Sequence, residues 1–289
     1  MIKKGIILAG GTGSRLSPLT KVSNKQLLPL YDKPLIFYPL SVLMLAGIRN
    51  ILIIVNKNQK ENFQNILGNG KDLGLTITYK EQNKPKGLPE AFLIGESFIQ
   101  DDNVALILGD NFFYGQGFTK RLAQIIKKNS GATIFAYNVK NPKNYGIVNF
   151  NKKNKIIKIE EKPKNPKSNY AITGLYFFDK KVVKMAKSIK PSKRGELEIV
   201  DIIKKYLKIN KLNLEFIGRG GAWLDAGNVK DLFDASQFVA SIEERQGLKI
   251  ACLEEISFNK GWIGKDILKS RIKFYGDCSY SEYLKNILK

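Results

Sequence analysis

The chain predicts an α/β fold: a mostly parallel central sheet with helices on both faces, followed by a helical C-terminal appendage. Three observations predict it. Short apolar runs at 6–9, 51–55 and 104–108 read as strands buried on both faces. Helical patterns lie between them, so strand and helix alternate along the first hundred residues. The first run leads directly into three glycines within four residues, Gly10-Gly11-Thr12-Gly13. In such sheets, ligands sit beyond the carboxyl ends of the strands.

Taken in order, each element has its own signal. Pro34 opens an apolar helix that runs through Leu45 and stops at Gly47. The β-branched run 51–55 is the second strand. Asn58, with Glu61 three residues later, reads as a capping box for a helix ending near Gly68. Residues 76–79 alternate like a strand, Pro89 begins a helix towards Phe98, and 104–108 is the next buried strand. From Ala132 the pattern turns strand-rich, at 133–139, 146–150, 156–160 and 174–178, with a proline-interrupted loop over 162–169. These read as later strands of the same sheet plus a ligand-facing hairpin region. A helix at 196–207 and a strand at 214–217 follow, then an amphipathic helical pattern from Asn228 to Arg245 and a tail to Lys289. No repeat or low-complexity linker interrupts the chain. A single domain is expected: a core over 1–227, whose ligand-facing region covers about 140–227, and the appendage over 228–289.

Composition narrows the chemistry. The 289 residues are ample for a large core, and no apolar run approaches bilayer length, so no membrane partner is expected. Met1-Ile2-Lys3-Lys4 leads straight into the first strand without a leader-like segment, which implies a cytoplasmic protein. Cys252 and Cys278 lie far apart and the chain has no histidine, an argument against a zinc site or disulfide framework. Without histidine no Ser-His or Cys-His nucleophile exists, so any general base is Asp, Glu, Lys or Tyr. Phosphoryl-transfer chemistry tolerates this, because a phosphate monoester, with a second pKa of about 6, is already a nucleophile at neutral pH. The net charge of +22 invites a nucleic-acid partner. Yet the lysines are spread over nearly every segment, and the densest run, Asn151-Lys152-Lys153-Asn154-Lys155, reads as a polar turn. No nucleic-acid partner is therefore expected, and the excess charge helps draw in anionic substrates.

The glycine loop is the sharpest feature. Exposed backbone amides and absent Cβ atoms suit it to cradle phosphates, with Arg15 adding a fixed positive fork and Lys25 a more mobile charge. The plain alternative is a strand-to-loop turn with a solvated arginine. A P-loop is excluded, since the loop ends Gly13-Ser14-Arg15, and the dinucleotide fingerprint is excluded by Leu16 where its third glycine belongs. What remains is Leu8-Ala9-Gly10-Gly11-x-Gly13-Ser14-Arg15-Leu16-x-Pro18-x-Thr20, closed by Lys25-Gln26-Leu27-Leu28-Pro29. It resembles the signature of the sugar-phosphate nucleotidylyltransferases, and the closing pentapeptide is most similar to members that pair dTTP with glucose 1-phosphate. The resemblance runs from Gly5 to about Trp262, and the tail after Lys265 departs from it.

The resemblance implies a Rossmann-like fold of the nucleotide-diphospho-sugar transferase type, Mg²⁺ as cofactor, and dTDP-glucose and pyrophosphate as products, on the way to dTDP-deoxysugars such as dTDP-rhamnose. It implies a homotetramer as well. Leu8, Gly10, Gly11, Gly13 and Gln26 would then contact the nucleotide, while Arg15 and Lys25 stabilise the leaving pyrophosphate. Gln82, Pro85 and Gly87, in a loop after a strand, would face the pyrimidine, since a glutamine can pair with both a donor and an acceptor. That loop continues Gly87-Leu88-Pro89-Glu90, where the family usually has Gly-Leu-Ala-Gln.

Asp110, in Gly109-Asp110-Asn111, and Asp225, in Trp223-Leu224-Asp225-Ala226-Gly227, each sit in a glycine-flanked turn after a strand, suited to Mg²⁺ or simply to starting a turn. In the resembled family these positions hold the metal. Glu160-Glu161-Lys162-Pro163 is either a self-compensating surface cluster or, by resemblance, the place where Lys162 binds the sugar phosphate and Glu161 the sugar hydroxyls. Tyr145, Gly146, Ile172, Tyr176, Glu196 and Trp223 would complete the sugar site. Glu196 alternatively serves as an acid in a helix's first turn. An allosteric nucleotide-sugar site is implied at Tyr114, Gly115, Gly218, Arg219, Ala251 and Glu255. The competing readings are a UTP-using or other sugar-1-phosphate enzyme, and a nucleotide-sugar sensor without catalysis.

Overall fold

The computed structural model describes residues 1–153 and 155–289. Four strands form the parallel centre: β1 (Lys4–Ala9), β4 (Asn50–Asn56), β5 (Thr76–Gln82) and β6 (Val104–Leu108). They lie in the order β6-β1-β4-β5, in register Leu8 with Ile54 and Leu108, so their carboxyl ends share one edge. Two short strands, β2 (Pro29–Leu30) and β3 (Lys33–Pro34), pair as a ribbon between β1 and β4, preceded by the single turn α1 (Leu19–Val22).

The sheet is extended by β8 (Ala132–Asn138), β9 (Gly146–Phe150), β10 (Ile156–Glu161), β11 (Tyr170–Phe178) and β12 (Leu212–Phe216), nine strands in all. Strand β11 runs antiparallel to β6, with Leu175 opposite Ile107. The amino half of β11 therefore lies at the same edge as the carboxyl end of β6. A separate ribbon pairs β7 (Asn111–Tyr114) with β13 (Ala222–Asp225).

Alternation along β1 shows why the run is apolar throughout. Ile7 and Ala9 face one core and Ile6 and Leu8 the other, as a period of two requires of a strand covered on both sides. The first core is closed by α2 (Phe37–Leu45), α3 (Lys60–Leu67) and α6 (Phe118–Lys128). The second is closed by α4 (Glu90–Ile94), α5 (Glu96–Ile99), α7 (Val182–Lys187) and α8 (Ile199–Lys208).

The C-terminal region is helical, as expected: α9 (Val229–Gln246), α10 (Leu253–Asn259), α11 (Lys265–Tyr275) and α12 (Ser279–Ile287). Leu253, Leu268 and Leu284 join the same core as Ile7. Glu254, fully buried, is satisfied by the guanidinium of Arg271 at 3.0 Å and the hydroxyls of Tyr275 at 2.8 Å and Tyr280 at 2.7 Å. Cys252 is buried, Cys278 exposed, and both are free. No helix among the described residues is long and apolar enough to cross a membrane.

Several boundaries differ from the sequence expectation. The helix expected from Pro34 begins at Phe37, because Leu35 and Ile36 donate their N–H groups to Leu28 and Gln26 of the preceding loop. The capping box at Asn58 does not form: Asn58 is left-handed (φ 63°), and its N–H donates to Glu81 Oε1 of β5 at 2.9 Å. The helix expected from Pro89 divides at Gly95. The helix expected from Glu196 begins at Ile199, because Leu197 donates to the carbonyl of Lys86 at 2.7 Å. Glu196 is therefore no first-turn acid. The polar turn expected over 151–155 falls partly outside the described residues; Lys152 and Lys153 within it do form a turn.

Candidate active site

The glycine loop leaves β1 at the shared carboxyl edge and is held there from β4. Asn56 accepts from the N–H of Gly11 at 2.9 Å and donates to its carbonyl at 2.7 Å. Gly11 adopts φ 120°, with nothing within 4 Å of where a side chain would start, so its backbone stays open to a ligand. Gly13 has a different duty. It packs on Thr20 and Lys25, and a Cβ there would meet Thr20 Cγ2 at 2.7 Å.

The two aspartates arrive by different routes. Asp110 follows β6, and Asp225 ends β13, which pairs with β7 so that Asp225 faces Asn111. Asn111 is the pin of this arrangement and is 1% exposed. Its Oδ1 accepts from the indole N–H of Trp223 at 2.7 Å and the backbone N–H of Gly174 at 3.0 Å, and its Nδ2 donates to Asp110 at 2.8 Å. One buried amide thus joins β6, β11 and β13.

Charge is unevenly distributed here. Burial works to raise the Asp110 pKa, but the charge of Lys25, paired at 2.6 Å, and the hydrogen bonds from Lys25 and Asn111 hold it below the ordinary carboxylate value. Asp225 lacks such a partner. Burial, then repulsion from Asp110 and Asp231, push it up to about 6. Tyr145 donates to Asp225 at 3.4 Å and is itself pushed up to about 12, by burial and by that carboxylate. Arg15, Asp225 and Asp231 converge around Gly227, at 3.6, 3.7 and 3.5 Å from where its Cβ would sit. A pair of carboxylates in mutual repulsion, with an arginine close by, suits a divalent cation and a polyphosphate.

Opposite lie the residues expected to take the sugar. β10 ends at Glu161, and Lys162 follows in a strained left-handed conformation (φ 41°). Burial and Glu198 raise the Glu161 pKa, with Lys162 and Arg194 opposing. Arg194 ties this wall together, reaching Glu196 at 3.4 Å, Glu198 at 3.5 Å and Glu161 at 3.8 Å. Trp223 packs edge-on against Tyr145, with ring centres 5.3 Å apart.

A single cleft of about 530 Å³ gathers most of the expected residues. It is lined by Leu8, Gly10, Gly11, Arg15, Gln82, Pro85 and Gly87, the residues expected to face the nucleotide. Asp110 and Asp225 lie in it, as do Tyr145, Gly146, Glu161, Lys162, Ile172, Tyr176, Glu196 and Trp223. Gly13, Lys25 and Gln26 do not line it; Lys25 acts on the cleft through Asp110. Sequence reasoning missed Asn111, Asp231 and Arg194. The only sequence signal was adjacency, Asn111 beside Asp110 and Arg194 two residues before Glu196. Tyr114, Gly115, Gly218 and Arg219 line a separate pocket of about 320 Å³, whereas Ala251 and Glu255 stand apart from it.

Known proteins resemble this chain in sequence and in fold. The nucleotidyl transferase family profile matches residues 4–242. A glucose-1-phosphate thymidylyltransferase of Neisseria meningitidis is 51% identical over 99% of both chains. One from Mycolicibacterium smegmatis is 50% identical, again over 99% of each. A Bacillus anthracis protein solved with sucrose superposes with TM-score 0.75 at 42% identity, over 81% of this chain and 94% of its own. A UDP-glucose pyrophosphorylase solved with UDP-glucose gives TM-score 0.73 at 27% identity, over 85% of this chain and 100% of that one.

Proposed function

The chain belongs to the nucleotidyl transferase family, among the glucose-1-phosphate thymidylyltransferases, and we propose that it joins dTTP and glucose 1-phosphate into dTDP-glucose and pyrophosphate. The observation that carries this reading is the convergence, in one cleft, of the open glycine loop, the Asp110–Asp225 pair and Lys162. A phosphate oxygen of the sugar phosphate attacks the α-phosphorus in line. The new O–P bond forms as the bond to the β-phosphate breaks, and its electron pair leaves on pyrophosphate. Both partners are anions already, so catalysis is positioning and charge neutralisation.

The glycine-loop amides and Arg15 receive the triphosphate, and Lys162 orients the attacking phosphate. Glu161 and Glu196 take the sugar hydroxyls. Asp110 and Asp225 would hold Mg²⁺, which takes one or two protein carboxylates and completes its shell with water and phosphate oxygens. The mutual repulsion that raises Asp225 is what a cation would relieve. Bound there, the metal would supply charge neutralisation and polarisation of the reacting phosphoryl group. Lys25 keeps Asp110 ionised for that role.

Asp110→Asn should lower turnover by about ten- to hundredfold, the scale of one electrostatic element, without changing the fold. Lys162→Ala should raise the KM for glucose 1-phosphate more than that for the nucleotide. Near-normal steady-state kinetics in both variants would contradict these roles.

A further inference from the structure

One acid in the cleft has no part in the chemistry above. Asp231 stands in the first turn of α9 and lines the cleft together with Asn228, the residue that caps that helix. Asn228 accepts from the backbone N–H of Asp231 at 3.0 Å and donates its own amide to Asp231 Oδ2. A helix start asks for no more than this. It does not account for what else stands beside the carboxylate. The same Oδ2 lies 3.5 Å from where a Cβ of Gly227 would begin, and Arg15 Nη2 lies 3.6 Å from that point. Across the bare backbone of Gly227, the acid therefore faces the guanidinium assigned to the triphosphate. Arg15 is exposed and, among the described residues, closes no ion pair, whereas Lys25 is held by Asp110 at 2.6 Å. Burial and the charge of Asp234 raise the Asp231 pKa, and Arg15 is the strongest influence drawing it back down. The two charges attract each other without closing into a bridge.

We infer that Asp231 is a positioning residue for Arg15: it draws the guanidinium back from the phosphates, weakens the hold on polyphosphate and so eases the departure of pyrophosphate. Asp225 faces Arg15 as well, but a divalent cation on Asp110 and Asp225 would take up its charge. Asp231 is the acid that stays free to draw on Arg15 throughout. The cleft meets its polyphosphate twice, as triphosphate before transfer and as pyrophosphate after it. Binding common to both lowers KM without raising kcat, and too firm a hold on the product delays its release. An acid behind the arginine loosens both alike. A residue that merely started α9 would predict the opposite sign, because its loss would loosen the cleft wall and weaken the ligand. This inference rests on the nucleotidyl-transfer reading and names what limits the hold on its leaving group.

Asp231→Asn tests it, since it removes the charge while keeping the shape and an acceptor for the Asn228 amide. Asp234→Asn is the control for net charge: it removes an equal charge from the same helix, at a residue paired with Lys230 and outside the cleft. Pyrophosphate binding would be measured by calorimetry at pH 8 with Mg²⁺ and no other substrate, alongside steady-state kinetics with dTTP and glucose 1-phosphate. Asp231→Asn is expected to bind pyrophosphate at least about threefold more tightly and to lower the KM for dTTP by a similar factor, with the KM for glucose 1-phosphate nearly unchanged. Asp234→Asn is expected to leave pyrophosphate affinity within about 1.5-fold of the unaltered protein. Unchanged or weaker binding in Asp231→Asn overturns the inference, and so does equal tightening in Asp234→Asn. Because the effect runs through Arg15, Asp231→Asn should shift affinity by less than about 1.5-fold in an Arg15→Ala background; an undiminished gain there overturns the positioning role. Pyrophosphate binding does not require turnover. A protein that binds pyrophosphate yet releases none from dTTP or UTP would therefore contradict the nucleotidyl-transfer reading, while the comparison of variants still decides the role of Asp231.

Discussion

Asp225 shows most plainly how the site sets folding against use. Its pKa in the fold, about 6, lies above the ordinary carboxylate value, so the metal-free fold favours its protonated form. The stability it contributes is complete below the unfolded value of about 4 and is lost as pH rises through about 6. Asp225→Asn should therefore stabilise the metal-free protein at pH 8, by about 1 kcal/mol, with the gain fading towards pH 4. Turnover should fall at least about tenfold in the same variant. Thermal melts across pH, with chelator present, check the first part; a pH-independent loss of stability would contradict it. Asn111 carries the opposite duty. Asn111→Ala removes three hydrogen bonds and leaves the Trp223 and Gly174 donors buried without a partner, which should cost about 2–4 kcal/mol in denaturant unfolding. Both aspartates were legible in the sequence, because a glycine-flanked acid after an apolar run is a local signal. Asn111 was not, since two of its three partners stand 63 and 112 residues away.

Among the elements, the central strands were readable because burial on both faces leaves an unbroken apolar run. Helix starts were less so. The segment 196–198 has the composition of a helix start, yet it is drawn into a bridge between Gly87 and Leu197, which only the folded chain reveals. The β7–β13 ribbon escaped notice because four residues give no periodicity. Gly87 tests the importance of the bridge. It adopts φ 106°, and a Cβ would overlap the backbone of Leu197, lying 2.7 Å from its nitrogen and closer still to its oxygen. Gly87→Ala should therefore raise the nucleotide KM at least about tenfold, besides the strain of about 1–3 kcal/mol. Gly47→Ala is the control: φ is 85° with open space around it, so strain alone should appear and KM should hold.

At the scale of the whole molecule, a chain of net charge +22 surrounds a cleft in which Asp110, Asp225, Asp231, Glu161, Glu196 and Glu198 face Arg15, Lys162 and Arg194. On the proposed reading, the basic exterior would attract anionic substrates and the acidic interior a divalent cation to accompany them. Raising salt from about 50 to 500 mM should lower kcat/KM several-fold while leaving kcat nearly constant. The architecture was legible from the alternation of strand and helix. The integration of the C-terminal helices into the first core was not, because Leu253, Leu268 and Leu284 sit in short patterns whose partners lie on the sheet side. The most direct test of the account is pyrophosphate release from dTTP or UTP, each supplied separately with glucose 1-phosphate and Mg²⁺. Rapid release with dTTP, well above that with UTP, is the predicted result. No release with either nucleotide would contradict the assignment of this cleft to nucleotidyl transfer.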